Sequence, residues 1–268
     1  MRPRKNQLAQ HDATALALGY NGKVRTLEVS SITTYGVIMV AIVVRLYPWA
    51  CKSPWLVLAA FLTGYFGADF VSGFVHWMAD TWGSVDMPFI GNALLRPFRE
   101  HHVDAQAITR HDFVETNGNN CLISIPSGLW ALFTPQHEGA GLNLFWSTFL
   151  FSLILWVMFT NQFHKWSHLS EPRGAIAILQ KLHLILPPGH HAVHHTAPYR
   201  RSYSITAGWV NYPLNLIRFY PLLEQLVSGV TGLIPRRDDL GEREALTVLA
   251  EDAAEGPQPH PDRLPLNL

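Results

Sequence analysis

Pro54–Ala79, PWLVLAAFLTGYFGADFVSGFVHWMA, is apolar for longer than the roughly 20 residues that cross a bilayer's hydrocarbon, and Asp69 is its only charge. Leu142–Thr160, LNLFWSTFLFSLILWVMFT, carries no charge. Two shorter segments share this character: Ser31–Tyr47, rich in Val and Ile, and Asn119–Thr134, interrupted by Pro126. The short pair can span with a tilt, re-enter, or lie partly buried in protein. The expectation is an all-α, polytopic membrane helical bundle of about four transmembrane helices. Of the 268 residues, 48% are hydrophobic and 15% charged, against about 25% charged in soluble domains. Net charge is zero, which gives no footing for nucleic acid. Cys51 and Cys121 lie far apart, so a disulfide framework or an iron–sulfur cluster is not expected.

Four spans would place both termini on one side, together with every Lys and Arg except Arg45 and Lys52. By the positive-inside rule that side is cytoplasmic. The membrane would be the inner membrane in a bacterium and the endoplasmic reticulum in a eukaryote. The N-terminus lacks the apolar core and cleavage site of a secretory signal. The organisation expected is an N-terminal cytoplasmic segment over 1–30, a membrane domain over 31–235 and a mobile tail over 236–268, acidic and aperiodic. Arg173–Leu186 reads as a short amphipathic helix stopped by Pro187-Pro188-Gly189.

Ten of the fourteen histidines gather where the apolar segments end: His76; His101, His102 and His111; His164 and His168; and His190, His191, His194 and His195. The four-span topology puts them all on the cytoplasmic side, as a His-rich helical cap. Neutral imidazole is a common metal ligand. Residues four apart share a helix face, which pairs His164 with His168, His190 with His194, and His191 with His195. So many imidazoles exceed the needs of one catalytic zinc, and without thiolates the set suits iron, of which a pair can activate dioxygen. Asp80 lies one turn beyond His76. Asp69, inside the membrane at a cost of about 2.5–3.5 kcal/mol on insertion scales, needs an offset: a metal, the N–H of a ligand histidine, or another helix. His183 is a further ligand or outer-partner candidate. His11, His137 and His260 lie too far away in the chain's layout. Arg96, Arg99, Arg110 and Lys165 can pair with a lipid phosphate or be ordinary positive-inside residues. Asn117, Asn119 and Asn120 can cap the third helix or orient a ligand. A metal transporter or sensor would instead need ligands along a path through mid-membrane.

The stretches HWMADTWGSVDMP (His76–Pro88), RPFREHHVDAQAITRHDFVETNGNNC (Arg96–Cys121), FTNQFHKWSH (Phe159–His168), LILPPGHHAVHH (Leu184–His195) and ITAGWVNYPL (Ile205–Leu214) resemble the Kua family of membrane lipid desaturases. The resemblance runs from about Asp69 to Asp239. It implies an enzyme that desaturates a membrane phospholipid with two iron ions and O2, taking electrons from a cytochrome b5-like or ferredoxin-like donor. One branch of the family forms the vinyl ether double bond of plasmalogens on a 1-O-alkyl glycerophosphoethanolamine. A plant branch makes a trans double bond in palmitate on phosphatidylglycerol. The ten clustered histidines fall at the family's histidine boxes, and His183 at a position where similar proteins also carry histidine. Pro198-Tyr199 stands where the vinyl ether branch usually has a Pro-His pair, while HWMADTWGSV and GWVNYPL match that branch.

Overall fold

The computed structural model describes residues 20–88, 90–91, 95–196 and 198–254. Among them there is no strand. Helix α1 (Gly22–Lys52) starts where the Asn21 side chain accepts from the N–H groups of Lys23 and Val24, satisfying donors that have no partner inside the helix. It ends at Ser53, and Pro54 opens α2 (Pro54–Thr81) at a position where its missing N–H costs nothing. The short helices α3 (Arg96–Val103) and α4 (Ala107–Arg110) follow. Asp112 then caps α5 (Phe113–Phe133) by accepting from Val114 and Glu115 N–H at 3.0 Å each. The last long helix is α6 (Gly141–Ser167). Beyond it come α7 (Gly174–Lys181), α8 (Pro188–His194), α9 (Asn211–Leu216), α10 (Phe219–Thr231), α11 (Arg237–Leu240) and α12 (Glu242–Ala254).

The long helices pack as two parallel pairs. Gly64 of α2 faces Ser152 of α6 so closely that an added Cβ would sit 2.5 Å from the serine Cβ. Twelve residues on in each helix, the rings of His76 and His164 are 5.5 Å apart. One constant offset therefore runs the length of the contact, and the C-terminal ends of α2 and α6 arrive side by side. Helices α1 and α5 match likewise, Glu28 against Gly118 and Ile38 against Gly128. Small residues at such contacts let backbones approach, as membrane helices require. Tyr35, Ile38 and Ile42 of α1, Cys121 and Ala131 of α5, and Leu150 and Ile154 of α6 form the core between the pairs. Val37, Val40, Val44, Trp55, Leu62 and Leu142 point outward, a surface suited to lipid.

Helices α1, α2 and α6 are long and apolar enough to cross a membrane. Helix α5, the third of the four expected spans, completes the bundle with a more polar first half. Its asparagines do not cap it, because Asp112 does. Asn120 instead donates to Val157 O at 2.8 Å and Thr160 Oγ1 at 3.0 Å, and Asn117 to Gln162 Oε1 at 3.3 Å, which cross-links α5 to α6 by groups that membrane packing favours satisfying internally.

Two boundaries differ from expectation. The first span begins at Gly22, inside the segment assigned to 1–30, of which residues 1–19 lie outside the described residues. The segment expected to be a tail from residue 236 is folded as far as Ala254: α12 packs on α10 and α11, with Arg236, Ala245, Val248 and Asp252 buried. Residues 255–268 lie outside the described residues. The physical reason is an ion pair that composition does not reveal. Arg236 meets Glu224 of α10 at 2.8 and 2.6 Å, and Asp252 pairs with Arg200 at 2.7 Å.

Candidate metal centre

His76 and Asp80, one turn apart on α2, are both fully buried and face one way. His164 and His168 close α6. On α3 the neighbours His101 and His102 point to different sides. The turn that Pro187 and Pro188 enforce starts α8, which sends His191 and His195 to one side and His194 to another. Two groups result. In cluster one, His101, His164, His168, His191 and His195 converge. Their Nε2 atoms lie 2.9 Å apart for His164–His101, 2.8 Å for His164–His191, 2.8 Å for His195–His101 and 3.0 Å for His195–His191. In cluster two, Asp80 Oδ2 lies 3.1 Å from His76 Nε2, 3.3 Å from His194 Nε2 and 3.5 Å from His102 Nε2. Helices α3 and α8 contribute to both clusters, which are therefore neighbours.

These separations are those of ligands around a common ion: donors held at about 2.1 Å from one metal and about 90° apart stand about 3 Å from each other. Hydrogen bonding accounts for only part of them, since each neutral imidazole carries a single N–H and each Nε2 of His101, His164, His191 and His195 faces two others. His76 Nε2, both carboxylate oxygens of Asp80 and His168 Nε2 are buried without a hydrogen-bond partner, an arrangement that is costly unless a cation fills it. Burial holds the imidazoles in the neutral, ligating form. Desolvation, reinforced by neighbouring imidazoles, pushes His168 down to about 4 and His195 to about 2, and burial pushes His194 to about 4 and His101 and His191 well below their ordinary value.

The opposite ring nitrogens of cluster two are oriented from outside. His76 Nδ1 donates to Tyr203 O at 2.9 Å and His194 Nδ1 to Arg201 O at 3.1 Å, which leaves Nε2 free to ligate. The loop carrying those carbonyls is tied to α2 by Asp69. Its Oδ1 accepts from the N–H groups of Thr206 (3.1 Å), Ala207 (2.9 Å) and Gly208 (2.9 Å), and its Oδ2 from Val210 (3.0 Å). Asp69 thus touches neither a metal cluster nor a histidine. Four backbone donors offset its burial, and its role is to anchor a loop.

Asp80 and eight of the ten histidines are brought together; the other candidates are not. His111 faces Glu115 at 3.6 Å, and its carbonyl accepts from Lys165 Nζ. His190 Nε2 accepts from Asn211 Nδ2 at 2.9 Å, so the expected pair His190–His194 serves two purposes rather than one. His183 sits at φ +53° just beyond α7, outside both clusters. Arg96 pairs with Glu100 at 2.8 Å, Arg99 with Asp239, and Arg110 with Asp104 at 2.6 Å. The first two guanidiniums are buried and turned into the protein rather than toward a lipid phosphate. Only Arg110 of the three is exposed. The sequence reading marks Tyr199 only as a departure from the family pattern and misses that its ring stacks on His102 at 4.9 Å; it misses Asp239 as a site residue altogether. Asp239 lies at no helical spacing from any histidine, and Tyr199, four after His195, falls past the end of α8, so helical periodicity does not mark either.

A groove lined by His102, Gln106, His168, His191, His195 and Tyr199 opens onto the clusters from the end of the bundle. A second cavity, lined by Phe98, Ile108, His111, Thr116, Asn161 and His164, reaches cluster one from between α3, α5 and α6.

The profile of the lipid desaturase domain matches residues 65–238, the stretch that contains every residue of both clusters. The chain belongs to the lipid desaturase family. It is 52% identical to a plasmanylethanolamine desaturase of Myxococcus xanthus, over 94% of this chain and 90% of that protein. It is 50% identical to plasmanylethanolamine desaturase 1 of Mus musculus, over 69% of this chain and 70% of the other, and 31% identical to the chloroplastic fatty acid desaturase 4 of Arabidopsis thaliana, over 65% and 52%. No solved structure matches. As a member of this family the chain is an oxidoreductase acting on lipid, with apolar helices suited to a membrane and histidine clusters suited to metal.

Proposed function

We propose that the chain is a di-iron desaturase that forms the vinyl ether double bond of plasmalogens on a 1-O-alkyl glycerophosphoethanolamine, with O2 as co-substrate and electrons from a cytochrome b5-like or ferredoxin-like donor. The observation that carries the reading is the pair of adjacent clusters, five imidazoles beside three imidazoles and a carboxylate, at the joined ends of α2 and α6. The substrate reading rests on the two relatives of 50% identity or more and their names. The acyl-chain alternative, such as trans desaturation of palmitate on phosphatidylglycerol, has the more distant relative behind it.

Iron held by the clusters would supply the oxidation of an unactivated C–H bond by dioxygen. In the overall balance two hydrogens leave adjacent carbons, and with two electrons from the donor and two protons one O2 becomes two waters. The chain's own contribution is position, to which rate is sensitive. His76 lies five residues before the end of α2 and His164 three before the end of α6. At 1.5 Å per residue both are within about 8 Å of the helix ends. Carbons beside an ether oxygen lie at that depth; mid-chain carbons do not. Phe98 and Ile108 in the cavity beside His164 offer an apolar wall for the chain. Arg110, though paired with Asp104, is exposed and is the one of the three guanidiniums placed to meet the phosphate.

The reading places the termini and clusters on the cytoplasmic face. Arg25 pairs with Asp112 at one end of the bundle and Lys52 with Glu138 at the other, and most of the basic residues share the first end, as the positive-inside rule asks. The test is expression in a plasmalogen-free host fed alkylglycerol, with lipid mass spectrometry. Acid-labile vinyl ethers are expected, and an Asp80→Asn chain should make none. A new trans-monoene in place of vinyl ether would overturn the substrate, and product from Asp80→Asn at the parental level would overturn the metal centre.

A further inference from the structure

Cluster two has three imidazoles, and two of them are oriented by backbone carbonyls of one loop. The third, His102, is not. Its Nδ1 is buried and has no hydrogen-bond partner, while its Nε2 sits 3.2 Å from His194 Nε2 and 3.5 Å from Asp80 Oδ2. On the far side of the ring, 3.6 Å from that Nδ1, stands Asp239 Oδ2. The distance is long for a hydrogen bond, but such contacts tighten when a site is filled.

Asp239 is well held for this purpose. It belongs to α11, whose preceding residue Arg236 adopts a left-handed backbone, φ +55°, a conformation that persists only where the surroundings impose it. They do. The Arg236 N–H donates to Thr81 O at 2.8 Å, at the very end of α2. Its guanidinium forks onto Glu224 at 2.8 and 2.6 Å, and Glu224 also accepts from Trp77 Nε1 at 2.9 Å. Trp77 and Thr81 adjoin His76 and Asp80 in the chain. The same turn of α2 that gives cluster two its ligands therefore clamps the helix that carries Asp239. The carboxylate is further fixed by Arg99, two residues before His101. Burial works against its charge, yet His102 and Arg99 hold the carboxyl below the usual carboxylate range.

We propose that Asp239 is a positioning residue of the second metal cluster: it takes the Nδ1–H of His102, fixes the tautomer in which Nε2 ligates, and is set in place by the Glu224–Arg236 clamp. The carboxylate–histidine–metal arrangement orients the ring and raises its basicity. It also means that a segment outside the bundle, held by the ion pairs of Arg236, Asp239 and Asp252, completes the site. The inference rests on the two-metal reading given above.

The test is titration of the purified, metal-stripped full chain in detergent with Co2+, following the visible absorption of the bound ion. The parent should take two equivalents, and Asp80→Asn identifies the step that belongs to cluster two. In Asp239→Ala that step should weaken by about 10–100-fold, with the other step unmoved. Asp239→Asn, close in shape and still able to accept through its amide oxygen, should show a smaller loss on the same step. A purely structural role would weaken both steps alike or cut the folded yield of both variants, and that result would overturn the proposal, as would an unmoved second step. A parent that binds fewer than two equivalents would sink the two-metal reading itself, and is told apart from either by needing no variant.

Discussion

Cluster one is all imidazole; cluster two has a carboxylate. Cluster one's His168 and His195 edge onto the open groove, and the Nδ1 atoms of its His101 and His191 have no partner. In cluster two His76, Asp80 and His194 are fully enclosed, and the rings of His76 and His194 are pinned by carbonyls. A divalent ion among neutral ligands keeps its full charge in a low-dielectric setting, whereas Asp80 cancels half of it. The two centres are therefore inequivalent: one is all neutral and has fewer outer contacts, the other is charge-compensated and enclosed except at His102, which also lines the groove. Sharing α3 and α8 makes any shift of one set of ligands felt by the other.

The comparison breaks most sharply at Asp80. Replacing it with Asn leaves the shape and removes the only carboxylate among the nine clustered side chains of the described residues. A bound metal is worth several kcal/mol of transition-state stabilisation, so desaturation should fall by about a thousand-fold or more, and bound metal should drop from two equivalents to one. Turnover that survives with one metal would show that cluster two is not part of the reacting centre.

A finer contrast uses neighbours in the chain. His194→Ala leaves cluster two with three ligands, and His195→Ala leaves cluster one with four. The first should cost activity and metal more heavily than the second, by about 10-fold, since a remaining imidazole surplus offsets one loss. Equal metal content in the two variants would mean that the five imidazoles act as a strict set.

This partition was not legible in the chain, although most of the side chains that converge were. Histidine pairs at i and i+4, and a histidine closing an apolar segment, announce themselves by residue type and spacing, so His76, His164, His168, His191 and His195 could be read directly. Which ion each serves depends on how α3 is rotated, and His101 and His102 go opposite ways. His190 carries the same signature yet turns to Asn211, and His111, grouped with His101 and His102 in the chain, faces Glu115. The bundle was readable because apolar length is a local property, and α5 was recognisable even with its polar half because its partners on α6 are polar too. The fold of residues 236–254 was hidden for the opposite reason: acidic, aperiodic composition looks solvated, and the Arg236–Glu224 pair that buries it is invisible until α10 and α11 meet. Asp69 misled in the same way. A lone charge within a span suggests a metal, and the donors that offset it come from a loop more than 130 residues away.

Asp69 also supplies the smallest break in the comparison. Asp69→Asn keeps one carbonyl oxygen for Thr206, Ala207 and Gly208, but its amide group faces the Val210 N–H, donor against donor. Hydrogen bonds to a charged acceptor contribute about 1.5–3 kcal/mol, and the relief of burying a neutral group returns part of that, so a net loss of about 1–2 kcal/mol is expected. Thermal denaturation in detergent should show the midpoint fall by a few degrees. Metal content should hold at two equivalents, because Ser72 Oγ still accepts from Ile205 N–H at 3.1 Å and His76 still reaches Tyr203 O. If Asp69→Asn emptied cluster two as Asp80→Asn is expected to, the tightness of that cluster would belong to the loop rather than to the carboxylate. The contrast between the two centres would then be one of scaffolding, not of charge.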